Sequence, residues 1–492
     1  MAAKPFTLLD SVMQLASPNT FLPSSPRTRG PISRGRTRRV PAFAGMTMLL
    51  LGTSVTSLIS NAALAISALA IPVVAAAPAT AAVTAITNAT VMTGAGATLD
   101  NATVIIDGER IRAFGSGLAV PSGATVIDGS GKTVTPGLVV GMTSLGIDEV
   151  SGVREANDTR AMKSPFSASL DVAPALNGRN TAIAVARAGG VTRAVVAPDA
   201  SRDIFAGQGA LIRTSDGLDI LTRVKAFQYV ELGEGGAEAA GGSRTASFAL
   251  FRNALDEARD FAARRGRETG NHENVYQRAD TAALVAVVDG RQPLVVHVER
   301  ASDILAVLAL KADYPKLRLI LFGAREGWTV AGRIAAAHVP VITSAIDDLP
   351  DAFETLASTK SNVGRLVAAG VVVGLGTSGG ESTNQPRNVT QFAGNLVAQG
   401  RVPGGVGLTR DQALSVITRN PAEIFGMTDT GTIVAGKRAD LVVWDGDPLE
   451  LASAPVAVLI DGVTQPITSR QTELRDRYLR LQHDALPLAY RP

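Results

Sequence analysis

The chain has 492 residues, 46% of them hydrophobic and 18% charged, so it can bury a large core and is not a mostly disordered protein. It has no Cys, which excludes disulfides, Cys-ligated zinc, iron–sulfur clusters and a cysteine nucleophile; its only His are His272, His297, His338 and His483. The net charge of +3 misleads, because residues 1–48 hold Lys4 and six Arg against Asp10, leaving a mildly acidic body with no basic face for nucleic acid.

Residues 40–99 contain no Asp, Glu, Lys or Arg, and Met48 to Ala77 is apolar with an Ala-rich exit. A basic stretch, an apolar stretch and a small-residue exit make an export signal, so residues 1–80 read as a basic tail plus signal. The mature chain is expected to begin at about residue 75–85 in an exported, periplasmic protein. The apolar stretch is long enough to span a bilayer, so an uncleaved membrane anchor is the alternative. Asn61 and Pro72 interrupt it and favour removal. Membrane contact is expected only through this segment.

Residues 83–134 read as short strands and turns. Ala102-Thr-Val-Ile-Ile meets Asp107-Gly108, a hairpin signal, and Arg110-Ile-Arg-Ala-Phe pairs back. Gly129-Ser-Gly-Lys132-Thr133 is similar to the end of a phosphate-binding loop. The Gly required five residues before Gly131 is Val126, however, and Val134-Thr-Pro136 follows where a helix should. A hairpin turn is the better reading.

From about 177 the texture changes. Helical Ala-rich runs end at Gly or polar turns, and β-branched strands follow: 181–188 then 191–197, 282–288 then 293–298, 304–310 then 317–322, 330–337 then 339–343, and 363–369 then 371–375. Apolar strands alternating with helices imply parallel strands buried on both faces, and this many units fit a (β/α) barrel better than an open sheet. Glu231 to Ser243 reads as a Gly/Glu/Ala loop and Ala246 to Arg265 as a helix. Strands return at 431–434, 439–444 and 455–460, so one small β domain built from both ends is expected. Arg470 to Leu481 reads as a charged helical tail.

Chemistry-bearing residues are few. His297-Val-Glu299 ends an apolar strand, and alternation aims both side chains into the barrel mouth. Imidazole is a good zinc ligand and carboxylate a good base, but one His is not a metal site. Paired with a local polar group, His297 is equally a structural residue. Gly376-Thr-Ser378-Gly-Gly380 matches a nucleophile elbow, yet the only His after it is His483, in the charged tail. A Gly-rich loop at a strand end is the better reading. His338 ends a helix and reads as its cap; His272 and His483 read as solvated.

Three stretches together resemble the amidohydrolase superfamily, in its exported, imidazolonepropionase-like branch. Gly431-Thr-Ile-Val-Ala-Gly436-Lys437-Arg-Ala439-Asp440-Leu-Val-Val-Trp444-Asp-Gly-Asp447-Pro448 is similar to the family's closing β-domain signature. Asn420-Pro421-Ala422-Glu-Ile-Phe-Gly426 is similar to its last barrel helix, and Thr135-Pro136-Gly137-Leu138 to the entry of its first barrel strand. The resemblance covers about 83–465. It implies an α/β fold, a (β/α)8 TIM-type barrel at 135–427 with a small β-sandwich from 83–134 and 428–465, and a helical tail at 466–492. It also implies a metal-dependent hydrolase of C–N bonds in non-peptide or cyclic amides.

The family's ligands do not carry over as a set. His-x-His after the first strand is Met142 and Ser144 here, the sixth-strand His falls near Gly323, and the eighth-strand Asp falls on Ser378. His297 alone matches a ligand, that of the fifth strand. Zinc or another divalent metal is expected only if the hydrolase reading holds; otherwise no cofactor is. Two classes follow: a hydrolase with a rebuilt site, whose candidate groups are His297, Glu299, Glu326 and Glu381, or a pseudoenzyme that binds a small molecule or partner at the barrel mouth.

Overall fold

The computed structural model describes residues 83–264, 274–377 and 385–479. The expectations for the export signal, His272, Ser378, Glu381 and His483 lie outside the described residues.

The first strands obey their turn chemistry. β1 (Val83–Met92) pairs antiparallel with β2 (Thr98–Asp107), and Asp107-Gly108 turns β2 into β3 (Arg110–Ser116). β4 (Thr125–Asp128) and β5 (Thr133–Pro136) both lie parallel to β1. The 129–133 segment is the turn between them, with Ser130 held by Asp128 and Gly131 at φ +68°. Pro136 still belongs to this sheet, so the barrel begins at Leu138.

The barrel follows. Its strands are β6 (Leu138–Thr143), β7 (Val191–Val196), β8 (Phe205–Arg213), β9 (Leu221–Glu231), β10 (Leu294–Val298), β11 (Leu319–Gly323), β12 (Val341–Thr343) and β13 (Val373–Leu375). They hydrogen-bond in chain order, and a Gly141–Gly376 bridge links the two edge strands. β8 runs antiparallel to both neighbours, a departure from a strict (β/α)8 pattern. Helix α1 (Thr181–Ala188) precedes β7, while α2 (Glu234–Ala239), α3 (Arg244–Ala263) and α4 (Arg278–Val288) stand between β9 and β10. α5 (Ala301–Asp313), α6 (Ala331–Ala336) and α7 (Asn362–Ala368) separate the next strands; α8 (Val389–Gln399), α9 (Arg410–Ser415) and α10 (Arg419–Ile424) follow β13. The expected loop at 231–243 is instead the end of β9 followed by α2.

The closing signature returns the chain to the first sheet. β14 (Leu441–Trp444) pairs antiparallel with β5, and β15 (Pro455–Ile460) and β16 (Val463–Gln465) complete an eight-stranded sheet. Residues 431–434 form no strand, contrary to expectation; Ile433 is held by one backbone bond to Thr93 and packs into the core with Ile86, Val104, Leu441 and Leu459. Helix α11 (Arg470–Leu479) follows, with no buried residue. Among the described residues no helix is long and apolar enough to cross a membrane.

Candidate functional site

Alternation on the inward face builds the site. Phe227 and Tyr229 on β9, Val295 on β10 and Phe322 on β11 fill the barrel interior. The same period of two brings Glu231 and His297 to the strand ends on that face, directly opposite each other in the β9–β10 ladder. Above them opens a cavity of about 410 Å³, lined among others by Met142, Ser144, Asp199, Tyr229, His297 and Glu299.

His297 is clamped from both sides. Nδ1 lies 2.6 Å from Glu231 Oε2 and Nε2 lies 3.2 Å from Glu299 Oε1. Burial alone would favour the neutral ring, but Glu231 and Glu299 outweigh it and hold the imidazole well above its ordinary pKa. Each carboxylate is itself fixed. The Gly233 N–H donates to Glu231 Oε1 at 2.8 Å, and the Arg325 N–H donates to Glu299 Oε2 at 2.8 Å. The Arg325 guanidinium stands 3.6 Å from Glu299 and reaches Asp347 at 3.1 Å and Asp351 at 2.6 Å on the loop after β12. Glu354 of that loop accepts from the Glu234 N–H at 2.7 Å and from Arg244 at 2.8 Å.

Three cavity groups escape the sequence reading: Tyr229, Asp199 and Glu231. Tyr229 is buried, and burial together with Glu231 and Asp199 raises its phenol well above the usual value, so it stays a donor. Its hydroxyl bonds to no other described residue. Asp199 pairs with Arg160 at 3.4 Å, yet burial pushes its carboxyl up. Glu231 was missed because Gly/Glu/Ala composition after it reads as loop; the Phe227, Tyr229, Glu231 alternation was the available signal.

Of the expected site residues, the structure brings together His297, Glu299, Met142 and Ser144. Glu326 is corrected: it is absent from the cavity wall and accepts the N–H groups of Ala301 and Ala357, each at 3.0 Å, capping α5 and tying down a loop.

The donors present do not fit the metal centre that the resemblance implies. Met142 offers a thioether and Ser144 a neutral hydroxyl where imidazoles are expected. Both nitrogens of His297 are already engaged by carboxylates. At the sixth-strand position Gly323 has φ +83°, and a Cβ there would stand 2.6 Å from Glu299 Oε1. Glu299 thus occupies the space a sixth-strand ligand would use. Among the described residues no group of three or more His, Cys, Asp or Glu is placed to hold a metal ion.

Comparison with known proteins gives a consistent picture. The model of the amidohydrolase family matches residues 246–469. The amidohydrolase tasK of Hapsidospora irregularis is 25% identical over 381 residues, 70% of this chain, and an imidazolonepropionase of Cereibacter sphaeroides is 33% identical over 165 residues, 33% of this chain. The chain spans 38% of the length of each of these two relatives. A solved amidohydrolase from Thermotoga maritima MSB8 shares the fold, with TM-score 0.68 and 22% identity over 78% of this chain and all of that one. With the barrel, the terminal sheet and the closing signature, these matches support the amidohydrolase superfamily, in its imidazolonepropionase-like branch.

Proposed function

We propose that the chain takes a small molecule at its barrel mouth and hydrolyses a C–N bond in it, a non-peptide or cyclic amide. The observation that carries this reading is the Glu231–His297–Glu299 cluster at the floor of the 410 Å³ cavity. Family members typically work with a divalent metal, but the donors here are not a metal set, so the steps are assigned to side chains.

Amide hydrolysis needs a donor to the carbonyl oxygen, a base for the attacking water and an acid for the leaving nitrogen. Tyr229 supplies a neutral hydroxyl donor. Asp199 is a carboxylate with an elevated pKa at the cavity wall and takes one proton as water oxygen bonds to the carbonyl carbon. When the C–N bond breaks, His297 passes the Nε2 proton to the leaving nitrogen while Glu231 holds Nδ1–H in place. Asp199 then returns its proton through solvent to His297 Nε2, which restores both groups.

The test is a ring-opening assay of the full chain against hydantoin, dihydropyrimidinone and imidazolone substrates. Turnover should fall at least about 100-fold in His297→Gln and in Asp199→Asn, the usual worth of a positioned acid or base. Saturable binding without turnover favours the second reading, a ligand-binding pseudoenzyme, which the internal pairing of His297 and Glu299 supports. Turnover untouched by either variant would overturn the assignment.

A further inference from the structure

A second cavity, of about 280 Å³, lies at the opposite end of the barrel, where β10, β11 and β12 begin. Its floor is apolar, with Pro293, Leu317, Val339 and Pro340, and its polar lining is Lys311, Arg318 and His338, with no carboxylate among the lining residues. The three have unequal duties. Lys311 donates to the Ala337 carbonyl at 2.8 Å and so answers the negative end of α6. Arg318 is exposed, and its guanidinium makes no hydrogen bond or ion pair with another described residue.

His338 is the telling residue. It sits just past α6 at φ +51°, where its N–H bonds to Ala335 and the next N–H bonds to Ile334. That is the helix-ending position where Gly is common, because an L side chain there is strained. Capping alone is therefore better served by Gly. The imidazole sits at a left-handed backbone position and lines the same cavity as the unpaired Arg318 guanidinium, which makes it a candidate binding group.

We propose that this cavity binds a small carboxylate with an apolar body. Arg318 grips the carboxylate, whose fork geometry it matches, His338 gives a second donor, and the Pro and Leu floor takes the apolar part. The site is independent of the barrel mouth and of the activity proposed for it.

Benzoate and inorganic phosphate, titrated into the full chain by calorimetry, test the proposal. Benzoate should bind saturably, and at least about tenfold more weakly in Arg318→Gln and in His338→Gly, since each loses a hydrogen-bond donor to the carboxylate. His338→Gly should also melt no lower than wild type, because Gly relieves the left-handed strain. Phosphate bound as tightly as benzoate would overturn the apolar half of the site. Benzoate binding that is absent, or unchanged in both variants, would overturn the site itself. A lower melting temperature for His338→Gly would show that the imidazole serves the fold instead.

Discussion

At the scale of single residues, Glu299 and Gly323 form a matched pair. The Glu299 carboxylate stands where any side chain at 323 would begin, and the glycine also absorbs a backbone angle that other residues resist. Gly323→Ala should therefore cost about 1–2 kcal/mol for the left-handed backbone and more for the clash. On a Glu299→Ala background the clash is gone, so the same change should cost about 1 kcal/mol less, a non-additivity read by urea denaturation of the single and double variants. Equal costs on both backgrounds would show that the carboxylate does not hold that space. His297 and Glu299 were legible in the sequence because strand alternation fixes their direction. Tyr229 and Asp199 were not, since nothing local marks a Tyr or an Asp as facing a cavity.

At the scale of elements, a buried ion cluster joins the barrel to the terminal sheet. Arg193 of β7 donates to Asp440 at 2.8 and 3.1 Å and to Asp461 at 2.5 Å, and Arg438 donates to Asp461 at 2.6 Å. The side chains of Arg193 and Asp440 are 5% and 1% exposed, so removing one charge strands the other away from water. Asp440→Asn should cost about 3 kcal/mol or more, measured by thermal or urea unfolding. Burial pushes the Asp461 carboxyl up, but Arg193 and Arg438 outweigh it and hold it below the usual range. Its contribution is therefore present above about pH 4 and is lost as pH falls through the lower, folded-state value. Asp461→Asn should flatten that acid limb of the stability profile; an unchanged limb would assign acid sensitivity to other groups.

The helix–strand alternation from 177 onward was legible for the same reason that it folds: buried parallel strands must be apolar throughout, and Gly or a polar turn ends most of the helices between them. β8 and β9 were not legible. β8 is rich in Gly and Ala, and Gly209 has no room for a side chain beside Phe227. The first half of β9 is polar and exposed, so neither strand shows the β-branched run that marks the others. Residues 431–434 misled in the opposite direction, because a β-branched pair there serves the core through one buried Ile without joining a ladder.

At the scale of the whole molecule, two properties can be measured on the full chain: where it starts after export and whether it holds metal. Export is proposed from the uncharged run and its Ala-rich exit. N-terminal sequencing of the secreted protein should find a start at about residue 75–85. A secreted chain with residues 1–45 intact would contradict it. The central claim concerns the mouth: a carboxylate-clamped imidazole stands where relatives in this superfamily typically use a divalent metal. The most direct measurement is elemental analysis of the full chain after incubation with zinc and desalting. The account predicts less than about 0.1 zinc per chain, because a thioether, a hydroxyl and an imidazole engaged at both nitrogens do not make a zinc site. One or more zinc ions per chain, retained through desalting and lost in His297→Ala, would contradict it.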